Sequence, residues 1–98
     1  MNRFKAKNAL IEILCSINQP SEMDYFLKQI LTHAEIDDLL DRIRIYQNLA
    51  CTNTPQRECA KILNVSISKV TRGASNLRKG NSKNYWKSKF PWADLADK

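Results

Sequence analysis

The sequence predicts an all-α fold organised on a helix-turn-helix, and three observations carry that expectation. Thr54 to Arg78 reads as two short helices joined by a tight turn. The segments on either side carry apolar residues at three-to-four spacing, the mark of helices that bury one face. The outer face of the second helix of the pair holds Ser68, Lys69, Thr71, Arg72 and Ser75. These are short donors and long cations of the kind used against base edges and phosphates. The 98 residues make one small helical domain that binds DNA, with the helix-turn-helix at about 55–77. A chain this short buries a modest core, which oligomerisation commonly enlarges.

The first element, Met1 to Ile17, begins with Arg3, Lys5 and Lys7 and then turns apolar. Phe4, Leu10, Ile11, Ile13, Leu14, Cys15 and Ile17 are too dense for a single exposed stripe. A helix buried on most sides is expected, a second subunit being one way to cover it. Its basic start is either a solvated terminus or an arm that touches the DNA backbone. Asn18-Gln19-Pro20 stops the helix. Ser21 is the expected cap of a short second helix reaching Leu31, with Met23, Phe26, Leu27, Ile30 and Leu31 on its apolar face and Tyr25 in the core or at its rim. Thr32-His33-Ala34-Glu35 is a capping box and opens a third helix. Ile36, Leu39, Leu40, Ile43, Ile45 and Leu49 are its apolar positions, and its acidic first turns suit the positive end of the helix dipole. Ala50 to Asn53 reads as a loop.

Thr54 is placed to cap the next helix through its hydroxyl, with Pro55 at the first helical position, where a missing N–H costs nothing. Cys59, Ile62 and Leu63 share a face, and Ala60 is small where the partner helix must cross closely. Leu63-Asn64-Val65-Ser66 is the turn, Asn64 being tolerant of left-handed dihedrals. Ser66 caps the second helix of the pair, whose inner face is Val70, Gly73 and Leu77. Arg78-Lys79-Gly80-Asn81-Ser82 ends it. Ser82 is the expected cap of a last short helix carrying Tyr85, Trp86 and Phe90 and stopped by Pro91, with Trp92 and Leu95 packing back. Lys83, Lys87 and Lys89 recur on roughly one face. They either contact phosphate or keep an aromatic tail soluble.

Charge is distributed unevenly. The formal net charge is +6, and no acidic residue interrupts the stretch between Glu58 and Asp94, which includes Lys61, Lys69, Arg72, Arg78 and Lys79. From Glu22 to Asp41 the balance is acidic. One end therefore attracts a polyanion and the other does not, which points to double-stranded DNA. Cys15, Cys51 and Cys59 lack paired metal-ligand spacing and read as reduced thiols in or near a core. His33 reads as a helix-start residue. Asp37 and Asp38 are adjacent and face apart on a helix, and no phosphate-loop glycine pattern occurs. Neither catalysis nor a metal site is expected. No signal peptide and no membrane span is read, so the cytoplasm is the expected location.

Four blocks carry a resemblance: Leu31-Thr32, Arg42-Ile43-Arg44-Ile45, Gln56-Arg57-Glu58 and Val70-Thr71-Arg72-Gly73. At spacings that need no gap, they resemble the tryptophan operon repressor family over about Gln29 to Leu77, half the chain. The resemblance implies an intertwined helical homodimer with one reading head per subunit. It implies L-tryptophan as a corepressor lodged between the reading head and the central helices. Arg42 and Arg72 would flank the ligand, Gly73 would let it approach the backbone, and Thr32 would contribute near the other subunit. Two positions depart from the family pattern. Lys69 stands where a threonine is common, and Asn76 where a serine meets the ligand's amino group. Asn76 keeps an acceptor for that task. Lys69 repels an α-ammonium unless its stem lies flat and its head reaches DNA. The alternative expectation is a related DNA-binding regulator that is constitutive or answers to a different effector.

Ile67 and Ser68 open the reading helix and are expected at base edges, Ile67 against a thymine methyl, with Thr71 one turn on. Gln56, Arg57, Lys69, Ser75, Arg78 and Lys79 complete the expected DNA-contacting set. Arg72 is expected to serve the ligand and the DNA backbone together.

Overall fold

The structure, a computed structural model, describes residues 1–91. Six helices follow one another: α1 (Arg3–Ser16), α2 (Pro20–Ile30), α3 (His33–Cys51), α4 (Gln56–Leu63), α5 (Ile67–Gly80) and α6 (Lys83–Ser88). There is no strand among the described residues. The chain separates into two units, Met1–Ile36 and the residues from Asp37 onward.

In the first unit, Asn2 caps α1, its side-chain oxygen accepting from the Lys5 backbone N–H at 2.8 Å. The expected burial of α1 is not met within the chain: it holds no buried residue, and Phe4 is 72% exposed. Its apolar residues are spread around the helix, so packing one face would still leave others bare. Helix α2 begins two residues earlier than the serine signal implied. Gln19, in an extended conformation, is the cap, and Pro20 takes the first helical position, so Ser21 is already inside. The fixed φ of proline suits that place and its missing N–H removes an orphan donor. The capping box forms as read. The Thr32 N–H donates to Glu35 Oε1 at 2.8 Å, and the Glu35 N–H donates to Thr32 Oγ1 at 3.1 Å.

In the second unit, α3 continues through Ala50 to Cys51, so the expected loop is shorter than read. The Thr52 hydroxyl and N–H both bond the Asn48 carbonyl, satisfying one of the orphan acceptors at the helix end. The hydroxyls of Thr52 and Thr54 lie 2.9 Å apart, which draws Thr54 back toward α3. Thr54 therefore does not cap α4. Pro55 holds that position without a side-chain bond, and the helix opens at Gln56. The turn between α4 and α5 follows the sequence. Asn64 adopts the left-handed conformation at φ 56°, and its N–H returns to α4 carbonyls. Ser66 Oγ accepts from the Lys69 N–H at 3.2 Å. Arg44 secures the same turn from α3, its Nη2 donating to the Leu63 carbonyl at 2.8 Å.

The core joins α3, α4 and α5. Ile45, Cys59 and Val70 have almost no exposure, and Leu49, Ala60, Leu63 and Val65 pack against them. Leu77 and Gly73 are also buried, whereas Ile62, expected on the inner face, is 59% exposed. Leu63, four residues after Cys59, takes the core-facing place in the next turn, and Ile62, one residue earlier on the helix, is turned away from it toward solvent. Helix α5 runs to Gly80, and Asn81, at φ 48°, takes the left-handed cap. Helix α6 forms in the expected place but ends at Ser88, so Phe90 lies beyond it and Pro91 does not stop it, and Ser82 makes no side-chain cap bond. Its Trp86 packs at a tilt on Tyr46 of α3, with centroids 4.8 Å apart, and also meets Tyr85 and Phe90. Lys89 Nζ lies 5.1 Å from the centre of the Tyr85 ring. Trp92 and Leu95 fall outside the described residues.

Candidate nucleic-acid interface

The first turn of α5 carries no acidic residue, and Ser66 fixes its start. From there the helix projects one open surface lined by Ile67, Ser68, Thr71, Arg72, Ser75 and Lys79, with Asn76 at its edge. Ile67 is 45% exposed although it is aliphatic, which suits apolar contact with a partner. Gln56, at the start of α4, meets this surface: its Oε1 accepts from the Thr71 hydroxyl at 3.2 Å. That bond uses the hydroxyl proton of Thr71 and leaves its lone pairs and the Gln56 amide donors to a partner. Arg57 borders a different patch of α4 with Pro55, Glu58 and Lys61. Arg78 lies in another groove with Leu77, Asn81 and Lys83. The expected DNA set is thus a main face on α5 plus two flanking cations.

Lys69 is elsewhere. It points toward α3, where Nζ sits 2.9 Å from Asp41 Oδ2 and 3.5 Å from Asp38 Oδ1. Arg44 Nη1 is 3.6 Å from the other oxygen of Asp41. The hydrogen bond and charge of Asp41, helped by Asp38, hold the Lys69 pKa above the ordinary lysine value. A raised folded-state value means the contribution of the pair is complete below the ordinary lysine pKa and is lost as pH rises through the folded one. On the lysine side, therefore, the charge is present through the neutral range and is lost in alkali.

These groups stand at one end of a cleft between α3 and α5. Asp38, Asp41, Arg42, Ile45 and Tyr46 line it from α3, and Lys69, Arg72, Gly73 and Asn76 from α5. Arg42, Lys69, Arg72, Gly73 and Asn76, five of the residues expected around an effector, share this one cleft. Thr32 lies in the first unit and caps α3. Among the described residues, neither the Arg42 nor the Arg72 guanidinium is held in an ion pair or hydrogen bond, so both are available to a ligand. Asn76 Nδ2 donates to the Tyr46 hydroxyl at 3.2 Å, which leaves its carbonyl oxygen unspent. Gly73 has a use that the sequence did not reveal. A Cβ there would lie 2.7 Å from Ile45 Cγ2, so the missing side chain lets α5 close on α3. Asp38, Asp41 and Tyr46 were not foreseen as lining. The signal for Asp41 is a carboxylate one residue before Arg42, which in the sequence stands out only as the end of the acidic stretch from Glu22. Cys59 is buried, and burial pushes its thiol pKa up, keeping it protonated and inert. No metal-binding group of His, Cys, Asp or Glu occurs among the described residues.

A capped helix pair with a tight left-handed turn and a cationic outer face defines a helix-turn-helix transcription regulator. Comparison with known proteins narrows the class. The model of the family described as Trp repressor protein matches residues 5–87. A Trp operon repressor homolog of Xylella fastidiosa (strain 9a5c) is 47% identical over 92 residues, covering 94% of this chain and all of the relative. One from Haemophilus influenzae (strain PittEE) is 32% identical over 71 residues, 72% of this chain and 70% of the relative. Another from Chlamydia caviae is 32% identical over 68 residues, 69% and 67% of the two chains. No solved structure gives a significant match. The chain belongs to the Trp repressor family, and it is a DNA-binding transcriptional repressor. No helix among the described residues is long and apolar enough to cross a membrane.

Proposed function

We propose that the protein represses transcription as a homodimer on a two-fold symmetric operator, with L-tryptophan as corepressor. The observation that carries this reading is the α3–α5 cleft, which two unengaged guanidiniums, Arg42 and Arg72, line together with the aromatic Tyr46. A flat indole suits such a slit, and a carboxylate suits the guanidiniums. Lys69, the residue that argued against an α-ammonium, is offset by Asp41 and Asp38, so the repulsion is removed. The Asn76 oxygen offers the ammonium an acceptor. The cleft holds about 90 Å³, whereas an apolar cavity that takes up benzene holds roughly 150 Å³. An indole seated in it either widens the gap between α5 and α3 or protrudes from it, and in the first case binding shifts the population of reading-head positions. Two heads set to successive major grooves lie about 34 Å apart. DNA, the homodimer and a cytoplasmic site of action go together in this reading.

The second reading is a regulator that is constitutive or answers another effector. It is favoured by the bridges Lys69–Asp41 and Asn76–Tyr46, which already join the two helices without a ligand. Titration of operator-like duplex with and without L-tryptophan separates the two. The first reading expects tighter binding with the amino acid. It also expects Arg72→Ala to lose tryptophan binding and the ligand-dependent part of DNA affinity together. Equal DNA affinity with and without L-tryptophan selects the second reading, and an Arg72→Ala variant that binds the ligand like its parent removes Arg72 from the site.

A further inference from the structure

Lysine is a poor choice at position 69 on local grounds. It falls in the first turn of α5, three residues after the Ser66 cap, where the positive end of the helix dipole favours a carboxylate. The explanation is tertiary. Residues 69, 73 and 76 share one face of α5 and form three rungs against α3: the ion pair with Asp41, the close approach of Gly73 to Ile45, and the Asn76–Tyr46 hydrogen bond. The first rung is the one that lies beside Ser68 and Thr71, at the DNA-facing end of the helix. Asp41 carries a second cation, Arg44, which also fixes the α4–α5 turn through the Leu63 carbonyl. Asp41 thereby ties the start of the reading helix and the turn before it to a single point on α3.

We propose that Lys69 and Asp41 are positioning residues for DNA reading: their ion pair holds the first turn of α5 against α3 in the absence of effector and sets the ligand-independent part of operator affinity. Lys69 acts through the position of α5, not by meeting phosphate. The inference rests on the DNA-reading role of α5 and extends to regulation, because the same pair closes one end of the effector cleft. A partly exposed ion pair has a modest effect, about threefold on an equilibrium. In a dimer both heads must be set, so the effect on operator binding compounds to about tenfold.

The test uses the full chain and a duplex isolated from random sequence by selection with the protein. Anisotropy titrations compare the parent, Lys69→Met, Asp41→Asn and the double variant, with and without saturating L-tryptophan, while circular dichroism at the assay temperature checks that each is folded. The expected result is an approximately tenfold loss of ligand-free affinity in each single variant, no further loss in the double variant, and a smaller loss with ligand present. A phosphate-contacting Lys69 gives the opposite sign for Asp41→Asn, because removing a carboxylate and freeing a cation tightens binding to every duplex. That outcome, unchanged affinity, or additive single effects would overturn the proposal. Tryptophan gating is judged separately, by the response of the parent protein to the amino acid. Its failure leaves the ligand-free comparison intact.

Discussion

Gly73 shows how one absent side chain serves both the core and the cleft. With a Cβ 2.7 Å from Ile45 Cγ2, Gly73→Ala has to push α5 away from α3 or strain Ile45. The expected cost is about 1–3 kcal/mol, read from urea unfolding. Ile45→Leu removes the branch methyl at the point of contact, so the double variant is expected to lose less than the sum of the singles. Full additivity would mean that this contact does not set the approach. The sequence marked Gly73 as buried but not the reason, since its neighbour belongs to another helix. The same holds for Lys69 and Asp41, 28 residues apart, whose pairing depends on how α3 and α5 cross.

At the scale of the element, the signals that were legible act within a single turn of chain. Thr32 with Glu35, Ser66 with the Lys69 N–H, and left-handed Asn64 all pair groups a few residues apart. Thr54 misled because two acceptable partners competed for its hydroxyl, and Thr52 won. Pro20 misled in the other direction, since proline starts a helix as readily as it follows one. Asn64 gives a direct check on the turn. Asn64→Ala is expected to destabilise by about 1 kcal/mol, because an alkyl side chain meets the left-handed penalty without local hydrogen bonding. Asn64→Gly is expected to be neutral or mildly stabilising. Thermal or urea melts that rank alanine above glycine would show that the turn does not require positive φ in solution.

For the molecule as a whole, the unburied side chains are as informative as the core. Ile11, Ile13, Ile30, Leu39, Leu40 and Ile43 remain exposed by 39% or more in the isolated chain. A partner that covers them makes stability depend on mass action. The thermal midpoint is therefore expected to rise with protein concentration, and sedimentation to give twice the 11.3 kDa chain mass. A monomer with a concentration-independent midpoint would contradict the proposed homodimer. The apolar density of α1 and α3 was visible in the sequence, but which surfaces a single chain can cover was not. That depends on the whole packing arrangement, and α1 shows it most plainly.

Tyr46 touches both the α3–α5 cleft and the C-terminal aromatic group. Its hydroxyl accepts from Asn76, and its ring lies 4.8 Å from that of Trp86. A molecule that enters the cleft and shifts Tyr46 therefore alters the surroundings of an indole it never meets. In a Trp92→Phe background Trp86 is the one indole left in the protein, since the chain has two tryptophans. Its emission then reports occupancy for any candidate effector that does not itself fluoresce, so the repressor can be screened against small molecules without DNA, label or known operator.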